Sequence, residues 1–178
     1  LSVVNVSDPN NPTIEGYLDT QGQPWGVEKD GDFVYVADRG AGENVTNAGF
    51  RVIDVSDPGN PTMRGEVNFD TNGKGIAKAG RWVFVAHIGP HYVTHVGGIR
   101  VIDVSDPDAP VQDDDLSFET GDSAWEMEIQ GNVLYVADFS GLSAWDITDF
   151  VADEADPTPP PLPVSYTHSP SPRDVLRS

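Results

Sequence analysis

No cysteine occurs among the 178 residues, which removes disulfide frameworks, thiolate metal sites and cysteine nucleophiles from consideration. Basic residues are scarce: 10 Lys plus Arg stand against 29 Asp plus Glu, a formal net charge of −19. Phosphate backbones are bound through clustered Lys and Arg, so the composition argues against nucleic acid as a partner. No apolar run approaches the roughly 20 residues of a membrane-crossing helix, and no basic-then-apolar leader precedes the first strand pattern. Glutamate is also sparse, 8 residues against 21 aspartates. Aspartate bonds its own backbone in turns whereas glutamate favours helices, so the imbalance points to a turn-rich β protein. Such acidity suits saline or extracellular surroundings. The 38% of hydrophobic residues is enough to bury a core in a chain of this length.

What is abundant is repetition. The segments 5–13 (NVSDPNNPT), 50–62 (FRVIDVSDPGNPT), 99–111 (IRVIDVSDPDAPV) and 142–150 (LSAWDITDF) are copies of one motif, the last one worn. Their aspartates at 8, 57, 106 and 149 lie 49, 49 and 43 residues apart. A second motif keeps the same phase: WGVEKDGDFVYVAD at 25–38, GIAKAGRWVFVAH at 75–87 and WEMEIQGNVLYVAD at 125–138. Each unit parses into four short strands, in the first full copy at about 25–29, 33–38, 50–55 and 63–69, joined by Asp, Gly and Pro turns. The second and third strands are nearly continuous apolar runs, as expected of strands covered on both faces. Four strands per 40 to 50 residues is the pattern of a propeller blade, so the fold class is all-β, a partial β-propeller of four-stranded antiparallel blades.

The cores Arg51-Val52-Ile53-Asp54-Val55-Ser56-Asp57-Pro58 and Arg100-Val101-Ile102-Asp103-Val104-Ser105-Asp106-Pro107, with Tyr35-Val36-Ala37-Asp38 and Tyr135-Val136-Ala137-Asp138, resemble the LVIVD repeat. That resemblance covers about residues 1–149. It implies a β-propeller, a bacterial or archaeal cell-surface or secreted location, and no catalytic motif to carry over. The departures are Ala144-Trp145-Asp146 in the last copy and His87 where the other units have Asp38 and Asp138. Residues 1–19 hold half a unit, 20–70 and 71–119 two whole units, and 120–149 the first three strands of another. The expectation is therefore an interior piece of a longer ring, or else an open arc.

Composition changes at residue 150. Residues 150–163 form a Pro-rich acidic linker. Residues 164–178, with Val164-Ser165-Tyr166-Thr167-His168 and Ser169-Pro170-Ser171-Pro172-Arg173-Asp174, resemble two frames of a translated sequencing adapter. They are read as a disordered, non-native tail of metagenomic origin.

Alternating hairpins put the connections after the second and fourth strands on one face. Two of the former, 39–49 and 88–98, are long, and long loops on a rigid scaffold are where binding groups tend to lie. The binding-face candidates are Trp25, Asp38, Arg39, Asn44, His87, His91, His95, Trp125 and Asp138. The histidines at 87, 91 and 95 are spaced for zinc only on a helix, and Gly89-Pro90 breaks that logic. The Ser-Asp-Pro turns and Asp113-Asp114-Asp115 suggest calcium, but turn formation explains the former and a solvated turn the latter. No cofactor is therefore expected, with calcium or zinc as the exceptions to test. Asp38 and Asp138 are expected to make a repeated structural hydrogen bond to a neighbouring turn. Asp54, Asp103 and Asp146 should brace turns or blades. Most of the tryptophans should be core, with a stacking role open to Trp25 and Trp125. Asn44-Val45-Thr46 fits a glycosylation sequon. Two functions follow: a non-catalytic surface module binding protein or glycan, or a hydrolase or oxidoreductase, with or without a metal, with its pocket on the long-loop face.

Overall fold

The computed structural model describes residues 1–40, 47–88 and 97–152, and the backbone of 164–165. It is an all-β chain of four antiparallel sheets, a partial β-propeller. A leading pair, β1 (Ser2–Asn5) and β2 (Thr13–Tyr17), is followed by three four-stranded blades. Blade one holds β3 (Gln23–Asp30), β4 (Phe33–Arg39), β5 (Gly49–Asp54) and β6 (Thr62–Asn68). Blade two holds β7 (Asn72–Ala79), β8 (Trp82–Ile88), β9 (Gly97–Asp103) and β10 (Val111–Glu119). Blade three holds β11 (Ala124–Gln130), β12 (Val133–Asp138) and β13 (Gly141–Asp146). After a short helix, α1 (Thr148–Val151), it is completed by β14 (Val164–Ser165) along β13. Strand order within each blade follows the chain, matching the four-strand unit read from the repeats.

The repeat recurs as geometry. In three successive turns the carbonyls of Asp8, Asp57 and Asp106 accept from Asn11, Asn60 and Ala109 at 3.0, 3.0 and 3.1 Å. The side chains of the same aspartates accept from the backbone N–H of Asn10, Gly59 and Asp108, each at 3.0 Å. One step earlier Asp54 and Asp103 accept from the N–H of Ser56 and Ser105 at 2.9 and 2.8 Å, and Asp146 does so from Thr148 at 2.9 Å. The strand-end aspartates thus brace turns, as the sequence led us to expect, and their oxygens are engaged by local N–H groups. Asp54 adds a bracing role between blades: Arg64 donates to Asp54 at 2.9 Å and to Asp108 of the next blade at 2.7 and 2.9 Å.

Blades pack face to face. Tyr35, Ala37, Phe50 and Val52 of blade one meet Ile76, Val83, Val85, Ile102 and Val104 of blade two. Phe84, Ala86, Ile99 and Val101 on the far side of blade two meet Met127, Leu134, Val136 and Ile147 of blade three. The Pro-containing turns of blades one and two each seat on a glycine of the outer strand before them. A Cβ on Gly16 would lie 2.2 Å from the Pro58 carbonyl oxygen and 2.8 Å from Pro61 Cδ. One on Gly65 would lie 2.6 Å from the Pro107 oxygen and 2.4 Å from Pro110 Cδ. The equivalent position of blade two is Asp114, and the worn fourth motif has no proline turn to place there. Instead α1 sends Phe150, 1% exposed, back against Trp82 and Phe84 at centroid distances of 5.9 and 5.2 Å.

The glycine seat is testable. Gly65→Ala must push Pro110 or its turn away, and overpacking of this kind costs about 1–3 kcal/mol. Gly59→Ala, whose new Cβ would meet nothing closer than 3.4 Å, should change stability by no more than about 0.5 kcal/mol. Urea unfolding should show a lower midpoint at unchanged slope for the first variant only.

Candidate functional site

The inner strands β3, β7 and β11 lie side by side, with β7 in the middle. They approach closely because glycines face them: a Cβ on Gly26 would sit 2.3 Å from the Lys74 carbonyl oxygen, and one on Gly75 would sit 2.9 Å from that of Trp125. Each inner strand has a bulge at the same place, between Pro24 and Gly26, Gly73 and Ile76, and Ala124 and Glu126. A bulge re-aims the extra side chain. The residues so presented are Trp25, Lys74 and Trp125, one per blade. They lie at the end of the sheets where Gln23 pairs with Arg39 and Ala124 with Asp138, the end from which the long connections leave.

These three side chains form one cluster. Lys74 Nζ is 2.9 Å from the centroid of Trp25 and 4.3 Å from that of Trp125. The two indoles are 6.1 Å apart and tilted by 52°. Phe139, in the tight turn after β12, meets Trp125 edge-on at 5.3 Å, and the Arg39 guanidinium lies 5.7 Å from the Trp25 ring. Lys74 is 1% exposed, and its ammonium has no hydrogen-bond partner among the described residues. The indole faces stand in for water, since a desolvated ammonium over a π-cloud gains attraction that an exposed one does not. Burial, reinforced by the nearby Arg39 charge, lowers the Lys74 amine from 10.5 to about 8. Trp25 and Phe139 are 49% and 59% exposed. The cluster is therefore a cationic, aromatic patch on a protein of net charge −19.

Of the expected residues, Trp25, Arg39 and Trp125 come together here. Trp25 departs from the expectation of mostly core tryptophans, because its bulge turns it to the open end, while Trp82 is fully core at 2% exposed. Lys74 and Phe139 were missed. Lys74 stands in phase with the two tryptophans, and aligning the three inner-strand motifs would have found it. Asn44, His91 and His95 lie outside the described residues. Among the described residues no group of three or more His, Asp or Glu is placed to hold a metal ion.

Asp38, His87 and Asp138 occupy equivalent strand ends, yet they do not repeat one structural bond. What decides is the diagonal neighbour on the next strand, the residue that pairs with the position two before each of them: Arg51 opposite Val36, Arg100 opposite Val85 and Ser143 opposite Val136. In blade one, Asp38 is fully buried, accepts from Thr20 Oγ1 at 3.1 Å, and pairs with Arg51 at 3.7 Å. Burial still raises its carboxyl from 3.8 to about 6. In blade two His87 stands in its place, and Arg100 turns instead to Asp70 at 2.7 Å. Burial, then the Arg100 charge, lowers the His87 imidazole from 6.5 to about 4. In blade three Ser143 replaces the arginine, so Asp138 folds onto its own turn and accepts from Ser140 and Gly141 at 2.9 and 2.8 Å.

The model of the LVIVD repeat matches residues 21–69 and 121–168, more than half of the chain. The chain belongs to the LVIVD repeat family. The matched segments centre on blades one and three. The unmatched blade is the one that carries Lys74 and His87. Among solved structures, a chain in the crystal structure of a nidogen/laminin complex is similar at TM-score 0.55 and 16% identity, over 84% of this chain and 51% of that one. That likeness establishes the β-propeller fold. The LVIVD chain spans about half the length of the chain it matches. The computationally designed Ika4 protein is similar at TM-score 0.36 and 11% identity, over 75% of this chain and 94% of that one, too slight to carry an argument. No curated protein matches the sequence.

Asp38 and His87 predict opposed pH slopes. Asp38 is raised in the folded chain, so its charged form costs stability increasingly as pH rises from about 4 to 6. His87 is lowered, so only the unfolded chain takes up its proton, and stability falls as pH drops from 6.5 toward 4. Relative to the parent, Asp38→Asn should gain stability as pH rises through its window, and His87→Gln as pH falls through its own. Each gain should reach at most about 3 kcal/mol, read from urea unfolding between pH 4 and pH 7. Parallel pH curves for parent and variant would contradict the assignment.

Proposed function

We propose that this LVIVD propeller is a non-catalytic module of the cell surface or the secreted fraction that binds a glycan, one bearing carboxylate groups, on the face around Trp25, Lys74 and Trp125. The observation that carries the reading is a buried, cationic lysine held between the faces of Trp25 and Trp125, with the exposed rings of Trp25 and Phe139 at the outside of the cluster. Sugar rings present flat C–H faces that stack on indole and phenyl rings, and a carboxylate gains a charge-assisted partner in Arg39 or Lys74. Composition supports the choice, since a local positive patch on a strongly acidic protein favours small or short anionic ligands over extended polyanions. The acidic composition and the LVIVD relationship support the location. No helix among the described residues is long and apolar enough to cross a membrane.

Short oligogalacturonates, with a neutral glucan of equal length for comparison, provide the test by intrinsic tryptophan fluorescence and calorimetry. The acidic sugar should bind more tightly. Trp25→Ala and Trp125→Ala should each weaken it by about tenfold, the loss of one aromatic contact, and Arg39→Ala should reduce the preference for the acidic sugar. If both tryptophan variants bind like the parent, the ligand does not sit on this face.

A further inference from the structure

The chain has three lysines, and two of them are held in the same way. Lys29 and Lys78 stand at equivalent places in β3 and β7. Each donates to the carbonyl of the turn glycine two residues on, Gly31 or Gly80, and Lys78 also pairs with Asp30 at 2.7 Å. Lys74 differs. Its amine is buried, no oxygen among the described residues accepts from it, and it lies against the faces of Trp25 and Trp125. The Trp125 indole N–H also has no acceptor among the described residues. Lys74 belongs to the middle blade, and β3 and β11 flank its strand on both sides, so the cage is complete within these three blades.

We infer that Lys74 is a nucleophilic amine that captures a small aldehyde as a Schiff base between Trp25 and Trp125. Two conditions activate a lysine for this chemistry: desolvation among apolar groups and a second cation nearby. The indoles supply the first and Arg39 the second. At pH 7 an amine at about 8 is free base in about one molecule in ten, against about one in three thousand at the ordinary 10.5. The step balances without a co-reactant. The Nζ lone pair adds to the carbonyl carbon, protons pass through water from nitrogen to the carbonyl oxygen, and loss of that oxygen as water leaves a C=N bond. Ammonium plus aldehyde thus become iminium plus water. The cage suits the product better than the reactant. Positive charge stays between the two π-faces, and the N–H groups that lack an acceptor fall from three to one. A carbamate formed from carbon dioxide would instead bring negative charge onto those faces, which repel it. Half-exposed Trp25 is the outer wall of the cage, and a small aldehyde enters past its edge. Capture is stoichiometric and needs neither a sugar ring nor a carboxylate, so it stands apart from the glycan reading.

The test uses the full chain, with propanal as the probe and cyanoborohydride at pH 7. The reductant adds hydride to the iminium carbon and fixes it as a secondary amine, so digestion and mass spectrometry read the propyl group gained by each lysine over time. A less basic amine is a weaker nucleophile and the cage restricts entry, so the advantage expected of Lys74 over Lys29 and Lys78 is at least about tenfold in rate, well below the ratio of free-base fractions. In concentrated urea, where the cage is gone, the three lysines should react alike. Labelling of Lys74 in the folded chain that is no faster than that of the other two would overturn the inference. So would a preference for Lys74 that survives urea, because it would then belong to the local sequence and not to the cage. Neither result touches sugar binding, which is read with a different ligand and by different means.

Discussion

The fold depends on one constraint: a blade whose two middle strands are apolar on both faces cannot satisfy itself. Val34, Val36 and Ile53 face one way in blade one, while Tyr35, Ala37, Phe50 and Val52 face the other. Alternation along each strand sends successive side chains to opposite faces, so both faces must be covered by neighbours. Stacking is therefore the source of stability, and each blade contributes two half-junctions. The turn geometry serves that stacking. Two aspartates per repeat hold the Ser-Asp-Pro turn rigid through local N–H bonds, and the rigid turn can then dock on a glycine seat one blade away. Replacing the seat and the proline turn together, as in blades two and three, lets Phe150 assume the packing role.

The same stacking brings the inner strands so near one another that glycine is needed at Gly26 and Gly75. A crowded axis leaves room for large side chains only where the strand bulges. That explains why Trp25, Lys74 and Trp125 meet: they are the three bulge positions of three adjoining inner strands. The cluster is a consequence of the repeat, while its chemistry comes from the blade that departs from it.

Strand content and order were readable because the signal was periodic and redundant. The apolar runs at 33–38 and 82–87, and the turns following Asp54 and Asp103, recur with their neighbours in phase, so each copy corroborates the next. The candidate site was only half readable. Trp25 and Trp125 draw attention as large aromatics, but a lysine among glycines at 73–75 looks like an ordinary solvated residue until the blades are superposed. Asp38 and Asp138 look identical in sequence and differ in three dimensions because Arg51 has no counterpart beside Asp138, where Ser143 stands. That difference lies between diagonal neighbours on adjacent strands, and no reading of one strand alone contains it.

Lys74 shows what the departing blade supplies between its two neighbours. A tryptophan at all three bulges would stack three indoles at a crowded axis, where each N–H would seek an acceptor. Lysine instead threads a narrow aliphatic stem past Gly73 and Gly75 and delivers a charge between two π-faces, where the surrounding rings compensate part of its desolvation. The ammonium has no hydrogen-bond partner among the described residues, and burial with the Arg39 charge lowers the amine to about 8. A buried charge that its own protein satisfies incompletely is stabilised further by an arriving anion, and the gain on binding is larger for having been withheld in the free state. The aromatic contacts and the charge would then act on one ligand from two sides, the rings through its apolar face and the amine through its carboxylate.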